Sequence, residues 1–184
     1  MRIKNKIESI NAIKELGLNR FPEDLFKVSE VSRIVEYLEK TKAPLYAIRD
    51  KSHAQGLFLL AVPYDEVLNS IKDYKIFSIN VSSLNYVDDQ ILVGEIEVKS
   101  NNELYLTVTT KKDASVRDAV REPIYNLKTD IFDKRLRHIP GVSEIYCYIM
   151  EHKLMDLIVE FAVFDECVGI YNENVIIYEL RTDY

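Results

Sequence analysis

Two apolar, β-branched and aromatic runs close the chain, Asp156 to Phe164 and Val175 to Thr182, with a polar connection carrying Gly169 and Asn172-Glu173-Asn174 between them. Runs of this length and make-up read as strands, and the turn-forming residues between them read as a hairpin. A second pair, Gln90 to Lys99 and Glu103 to Thr110, alternates apolar and polar residues around Lys99-Ser100-Asn101-Asn102. That is another hairpin signal. Antiparallel pairing is therefore expected.

Helical patterns fall irregularly among these strands. Ile3, Ile7, Ile10, Ile13 and Leu16 form an apolar stripe that stops before Gly17, as an amphipathic helix would. Ser29 is the expected cap of a second helix, with Val31, Ile34, Val35 and Leu38 as its buried face. Strands are expected at Leu45 to Arg49, Leu57 to Val62 and Lys75 to Ser82, with a short helix over Tyr64 to Lys72 that turns Val67, Leu68 and Ile71 inward. Asp113 or Ser115 caps a helix running to Arg121, and Ser143 caps another with Ile145, Tyr148, Ile149 and His152 on one stripe and Cys147 on its inner side. Helices and strands without regular alternation predict an α+β fold, with a mixed, largely antiparallel sheet and flanking helices. A length of 184 residues suits one compact domain over 1–184, with two small lobes, 1–74 and 75–184, as the alternative.

The formal net charge is −6, from 30 acidic and 24 basic residues, which argues against a nucleic-acid partner. The longest apolar stretch, Leu57 to Val62, is too short to span a bilayer, and no signal-peptide core follows the first residues. Cys147 and Cys167 make no Cys-x-x-Cys pair and no disulfide framework, as expected of a cytoplasmic protein. His53, His138 and His152 lack the spacing of a zinc site. With five glycines and no glycine-rich phosphate loop, phosphate binding by such a loop is largely excluded.

If the terminal strands pair with Glu160 opposite Glu179, the period of two puts Arg181 on the same face. Opposed like charges are unfavourable. A divalent cation makes such a pair tolerable, because hard carboxylate oxygens suit Mg²⁺, and a neighbouring arginine holds phosphate through its planar donor fork. The same residues also describe a hydrated strand surface. Arg49, Asp50, Lys51 and Ser52 close the strand from Leu45, where a cationic polar turn either receives a phosphate or stays an ordinary charged turn. Two further basic groups, Lys111, Lys112, Arg117 and Arg121, then Lys134, Arg135, Arg137 and His138, read as solvated surface or as contacts for phosphates or an acidic partner.

Three separated pieces resemble the nucleotide-binding domain of pyruvate phosphate dikinase and phosphoenolpyruvate synthase, of ATP-grasp architecture. They are Lys6 with Ile10, Ile13, Gly17-Leu18 and Pro22; Tyr46 to Ser52, similar to a strand ending in Val-Arg-Ser-Ser; and Ile158 to Ala162 followed by Ile177 to Arg181. They occur in the family's order. Ser-Ser is replaced here by Asp50-Lys51 and a Gln by Glu179, and the phosphohistidine and phosphoenolpyruvate domains have no counterpart. The resemblance implies a reduced ATP-grasp-like domain with ATP and Mg²⁺ as cofactors. It implies that Lys6, Arg49 and Arg181 contact ATP phosphates and that Glu160 and Glu179 hold the metal.

The expectation is a nucleotide-binding protein whose ligand lies between its strand-rich halves. Lys6, Arg49, Lys51, Glu179 and Arg181 serve the nucleotide, and Arg181 and Arg49 assist phosphoryl transfer or carboxylate activation, as in a phosphotransferase or ligase. The rival reading is a non-catalytic module that binds a protein partner or a second copy through its edge strands, its twelve tyrosines and its basic helix.

Overall fold

The computed structural model describes residue 3 and residues 5–51 and 58–182. Along the chain run α1 (Lys6–Glu15), β1 (Glu23–Lys27), α2 (Val31–Thr41), β2 (Leu45–Asp50), β3 (Phe58–Pro63), α3 (Val67–Ser70), β4 (Ile76–Val81), β5 (Gln90–Val98), β6 (Glu103–Thr109), α4 (Val116–Arg121), β7 (Tyr125–Asp130), α5 (Val142–Glu151), β8 (Ile158–Val168) and β9 (Glu173–Arg181). Short 3-10 turns occupy Tyr64–Glu66, Ser83–Asp89 and Lys134–His138. Two sheets form, ordered β1-β4-β2-β3 and β7-β6-β5-β8-β9, and all their described pairings are antiparallel. The expected α+β class with largely antiparallel pairing and flanking helices is the observed one, with the strands shared between two sheets where one was expected. Ser52, His53 and Leu57 lie outside the described residues.

Contacts divide the chain into two compact units, Phe21–Val87 and Met1–Arg20 with Asp88–Tyr184. The unit over 21–87 holds the four-stranded sheet, and α2 buries Ile34 and Leu38. Aromatic rings fill its interior: Phe26 packs edge-on to Tyr37 and tilted against Phe77. Tyr46 is fully buried, and its hydroxyl accepts from the Ala43 amide at 3.0 Å and bonds Thr41 at 2.7 Å. Val31 and Val35, expected inside, are exposed. The Arg33 guanidinium covers the Phe26 ring at 4.9 Å while pairing with Asp24 and Glu30, so α2 buries a narrower stripe than its valines imply. Leu68 is also exposed, although Val67 and Ile71 are buried as expected.

In the other unit α5 supplies Val142, Ile145, Tyr148 and Ile149 to a core that includes Leu92, Ile96, Leu104, Leu106, Val159, Phe161 and Ile177. Helix α4 begins with a capping box: the Ser115 side chain accepts from the Asp118 amide, and Asp118 answers to the Ser115 backbone. Cys147 is exposed, because the inward stripe of α5 runs through positions 145, 148 and 149. Cys167 lies in β8.

Helix α1 serves the edge of β9. Ser9 is fully buried, and its hydroxyl accepts the Leu180 amide at 2.8 Å. Ile7 points to solvent, because the buried side of α1 is Ser9, Ala12 and Ile13. Just beyond α1, Asn19 is fully buried and clasps the β8–β9 hairpin. Its side-chain amide donates to the carbonyls of Val168, Glu173 and Val175, and its Oδ1 accepts from the Tyr171 amide. Gly169 makes this approach possible: φ is +82°, and a Cβ there would sit 2.5 Å from Asn19 Oδ1.

Candidate functional site

Strand β8 sends Val159, Phe161 and Val163 into the core, so the period of two turns Glu160 to the opposite face. Glu160 is the register partner of Glu179 on β9 and of Glu95 on β5. Three glutamates therefore stand side by side across three strands, all partly buried. The β8–β9 ladder shifts register between Glu160 and Phe161, leaving Tyr178 as the extra residue. Such a bulge frees backbone polar groups, and here the Tyr178 carbonyl accepts from Lys6 Nζ at 3.2 Å.

Two cations answer the row. Lys6, the first residue of α1, bonds Glu179 Oε2 at 2.6 Å. Arg181 reaches past β8 to bond Glu95, and its Nε stands 3.9 Å from Glu160 Oε1. That Nε is buried without a hydrogen-bond partner. Glu160 is the third carboxylate of the row, with Arg181 Nε as its nearest cation, so one negative charge exceeds the two positive ones. Burial, then the charge of Glu179, pushes the Glu160 carboxyl above the usual glutamate range, with Lys6 and Arg181 opposing.

Of the residues singled out from the sequence, Lys6, Glu160, Glu179 and Arg181 are thus brought together. Glu95 was not singled out. Its alternation with Ile96 and Glu97 was visible in the hairpin, but the choice of β5 as neighbour of β8 is long-range. Arg49 lies on β2 of the other unit, its guanidinium 4.7 Å from the centre of the Phe58 ring. Lys51 follows β2, its amide bonded to the Ile76 carbonyl at 2.8 Å.

The second basic group adjoins α4, where Lys111 meets Glu122 at 3.6 Å. In the third, Arg135 is paired with Asp133 at 2.6 Å, which holds the Asp133 carboxyl well below the usual range. Among the described residues no group of three or more His, Cys, Asp or Glu side chains is placed to hold a metal ion by itself. Two carboxylates fit Mg²⁺ of the kind completed by water and phosphate oxygens, and Glu160, short of a counter-charge, with Glu179 provides hard oxygen donors. Among the described residues no helix is long and apolar enough to cross a membrane.

No family model and no curated protein matches the chain. Solved structures do. One is N5-carboxyaminoimidazole synthase from Aspergillus clavatus in complex with ADP and 5-aminoimidazole ribonucleotide, with TM-score 0.50 and 11% identity over 97% of this chain and 44% of that one. Another is D-alanyl-alanine synthetase A from Vibrio cholerae O1, with TM-score 0.50 and 12% identity over 97% of this chain and 54% of that one. The chain spans about half the length of these proteins. At such identity the likeness concerns the fold alone, and the fold of this chain is ATP-grasp-like.

Proposed function

We propose that the protein binds ATP with Mg²⁺ and that Glu160 and Glu179 hold the metal while Arg181 faces the phosphates, in the service of phosphoryl transfer or carboxylate activation. The observation that carries this reading is the register pairing of Glu160 with Glu179, flanked by Glu95 and answered by Lys6 and Arg181. An unneutralised carboxylate in a partly buried row is costly as a mere surface, and it is useful where a cation arrives with an anionic ligand. The ATP-grasp-like fold supports the choice of nucleotide, as does the ADP in one structure of that fold. Bound Mg²⁺ would neutralise phosphate charge. The chain's own part is alignment: Arg181 offers a planar donor fork, and the bulge at Tyr178 fixes the height of Glu179. The phosphate contacts expected of Arg49 and Lys51 are a separate proposal, tested by Arg49→Ala.

Thermal unfolding tests the reading. A ligand held about a thousandfold above its dissociation constant adds roughly 4 kcal/mol of stability, so one of ATP, ADP, GTP or AMP with Mg²⁺ raises the melting temperature by several degrees, and Glu160→Gln removes the rise. Unchanged melting with all four nucleotides rejects it.

A second reading, a protein-binding module, is favoured by the edge strand β3. Its sequence Phe58-Leu59-Leu60-Ala61-Val62-Pro63 carries no charge, and Phe58 and Leu60 are exposed. Such an edge pairs readily with another strand. Self-association that Leu60→Lys abolishes would support it.

A further inference from the structure

A metal on Glu179 would compete with Lys6 for the same carboxylate oxygen. The Lys6 ammonium places two of its three N–H donors on Glu179 Oε2 at 2.6 Å and the Tyr178 carbonyl at 3.2 Å. Glu179, in turn, cannot present that oxygen to a metal while Lys6 holds it. We propose that Lys6 is an exchangeable counter-ion: it occupies the cation position of the acidic row in the empty protein and gives it up when a divalent cation arrives. The inference rests on the reading of this row as a nucleotide site.

The electrostatics favour exchange over coexistence. A divalent ion on Glu160 and Glu179 would stand within a few ångströms of the ammonium, where like charges repel even at an effective dielectric of about 20. The released ammonium needs a new anion, and phosphate oxygens are strong acceptors for it. Lys6 stands on the first turn of α1 and is only part-buried, so its four-carbon stem can turn while the helix backbone stays in place. Arg181 differs. It is bonded to Glu95, which lies on the far side of Glu160 from Glu179, and it remains as the fixed cation. Metal and phosphate therefore bind with positive coupling: the metal frees Lys6 for the phosphate, and the phosphate draws Lys6 from the metal's carboxylate.

The test uses Mn²⁺ alone, titrated into the full chain and read by the loss of the free-ion paramagnetic resonance signal. Lys6→Met removes the competitor, so Mn²⁺ binds about twofold to fivefold more tightly than to the wild type, the factor expected for deleting a partly exposed ion pair. The same change weakens MgATP binding, whereas Lys6→Arg leaves Mn²⁺ affinity near that of the wild type. Lys6→Gln keeps a donor for the Tyr178 carbonyl and gives the same Mn²⁺ readout if the methionine variant fails to fold. Mn²⁺ affinity unchanged or reduced in Lys6→Met and Lys6→Gln, in a protein whose melting still responds to MgATP, overturns the exchange and leaves the nucleotide reading standing. Absence of both Mn²⁺ binding and any nucleotide response overturns the two together.

Discussion

Glu160 and Glu179 face each other directly across the β8–β9 ladder, yet their counter-charges differ: Glu179 is bonded to Lys6 at 2.6 Å, while Glu160 meets Arg181 Nε at 3.9 Å without a hydrogen bond. With like charge on both sides, Glu160 is a site where a neutral isostere relieves repulsion. Glu160→Gln is expected to stabilise the ligand-free protein by about 0.5–1 kcal/mol, read from the midpoint of urea unfolding. Destabilisation by the same amount would mean that Arg181 outweighs the two neighbouring glutamates.

Arg181→Met works in the opposite direction. It leaves Glu95 and Glu160 without a nearby guanidinium and raises the excess negative charge of the row from one to two. Partly buried carboxylates deprived of their cation cost roughly 1–2 kcal/mol, and salt should recover part of the loss by screening. Urea unfolding at low and high ionic strength measures both effects.

Asn19→Ala removes the clasp on the hairpin. The carbonyls of Val168 and Val175 and the amide of Tyr171 lose their partner at once. Buried groups left unsatisfied cost about 1–3 kcal/mol each before the structure relaxes, so a total loss of roughly 3 kcal/mol or more is expected. Hydrogen exchange at the Tyr171 amide should accelerate in step. Gly169→Ala attacks the same junction from the other side, through a Cβ that would crowd Asn19 Oδ1.

Tyr148 sets an alkaline limit. Burial holds its hydroxyl far above the ordinary value of 10.0, with the charge of Glu173 adding to this and the Asn19 amide opposing. The folded protein keeps the proton that the unfolded chain releases above about pH 10, so this contribution is complete below that pH and drains away as the pH rises beyond it. Tyr148→Phe is expected to flatten the decline in stability above about pH 10, measured by urea unfolding from pH 8 to 11, and to cost roughly 1–3 kcal/mol at neutral pH by leaving the Asn19 amide without its acceptor.

The terminal hairpin could be read from the chain because alternation encodes a strand's faces, while the polar connection names its neighbour. Glu160, Glu179 and Arg181 followed from those two facts. Glu95 did not, because β5 joins the other side of β8 through a pairing that no local pattern carries. Strand β1 went unread for another reason: only Phe26 of its five residues is buried, so it has no periodicity to detect. Strand β7 does alternate, with Tyr125, Leu127 and Thr129 turned inward, but it is short and stands close behind Pro123. Helix α2 shows how a charged residue upsets an apolar count, since Arg33 covers Phe26 where a valine was expected to pack.

The clasp formed by Ser9 and Asn19 on the hairpin of β8 and β9 has a consequence for synthesis. The segment over 21–87 gathers its own contacts from contiguous chain and can close as soon as it is made. Residues 6–20 must wait, still unclasped, until 173–181 emerge, so this larger unit closes after the smaller one, by joining a helix made before it to a strand made after it.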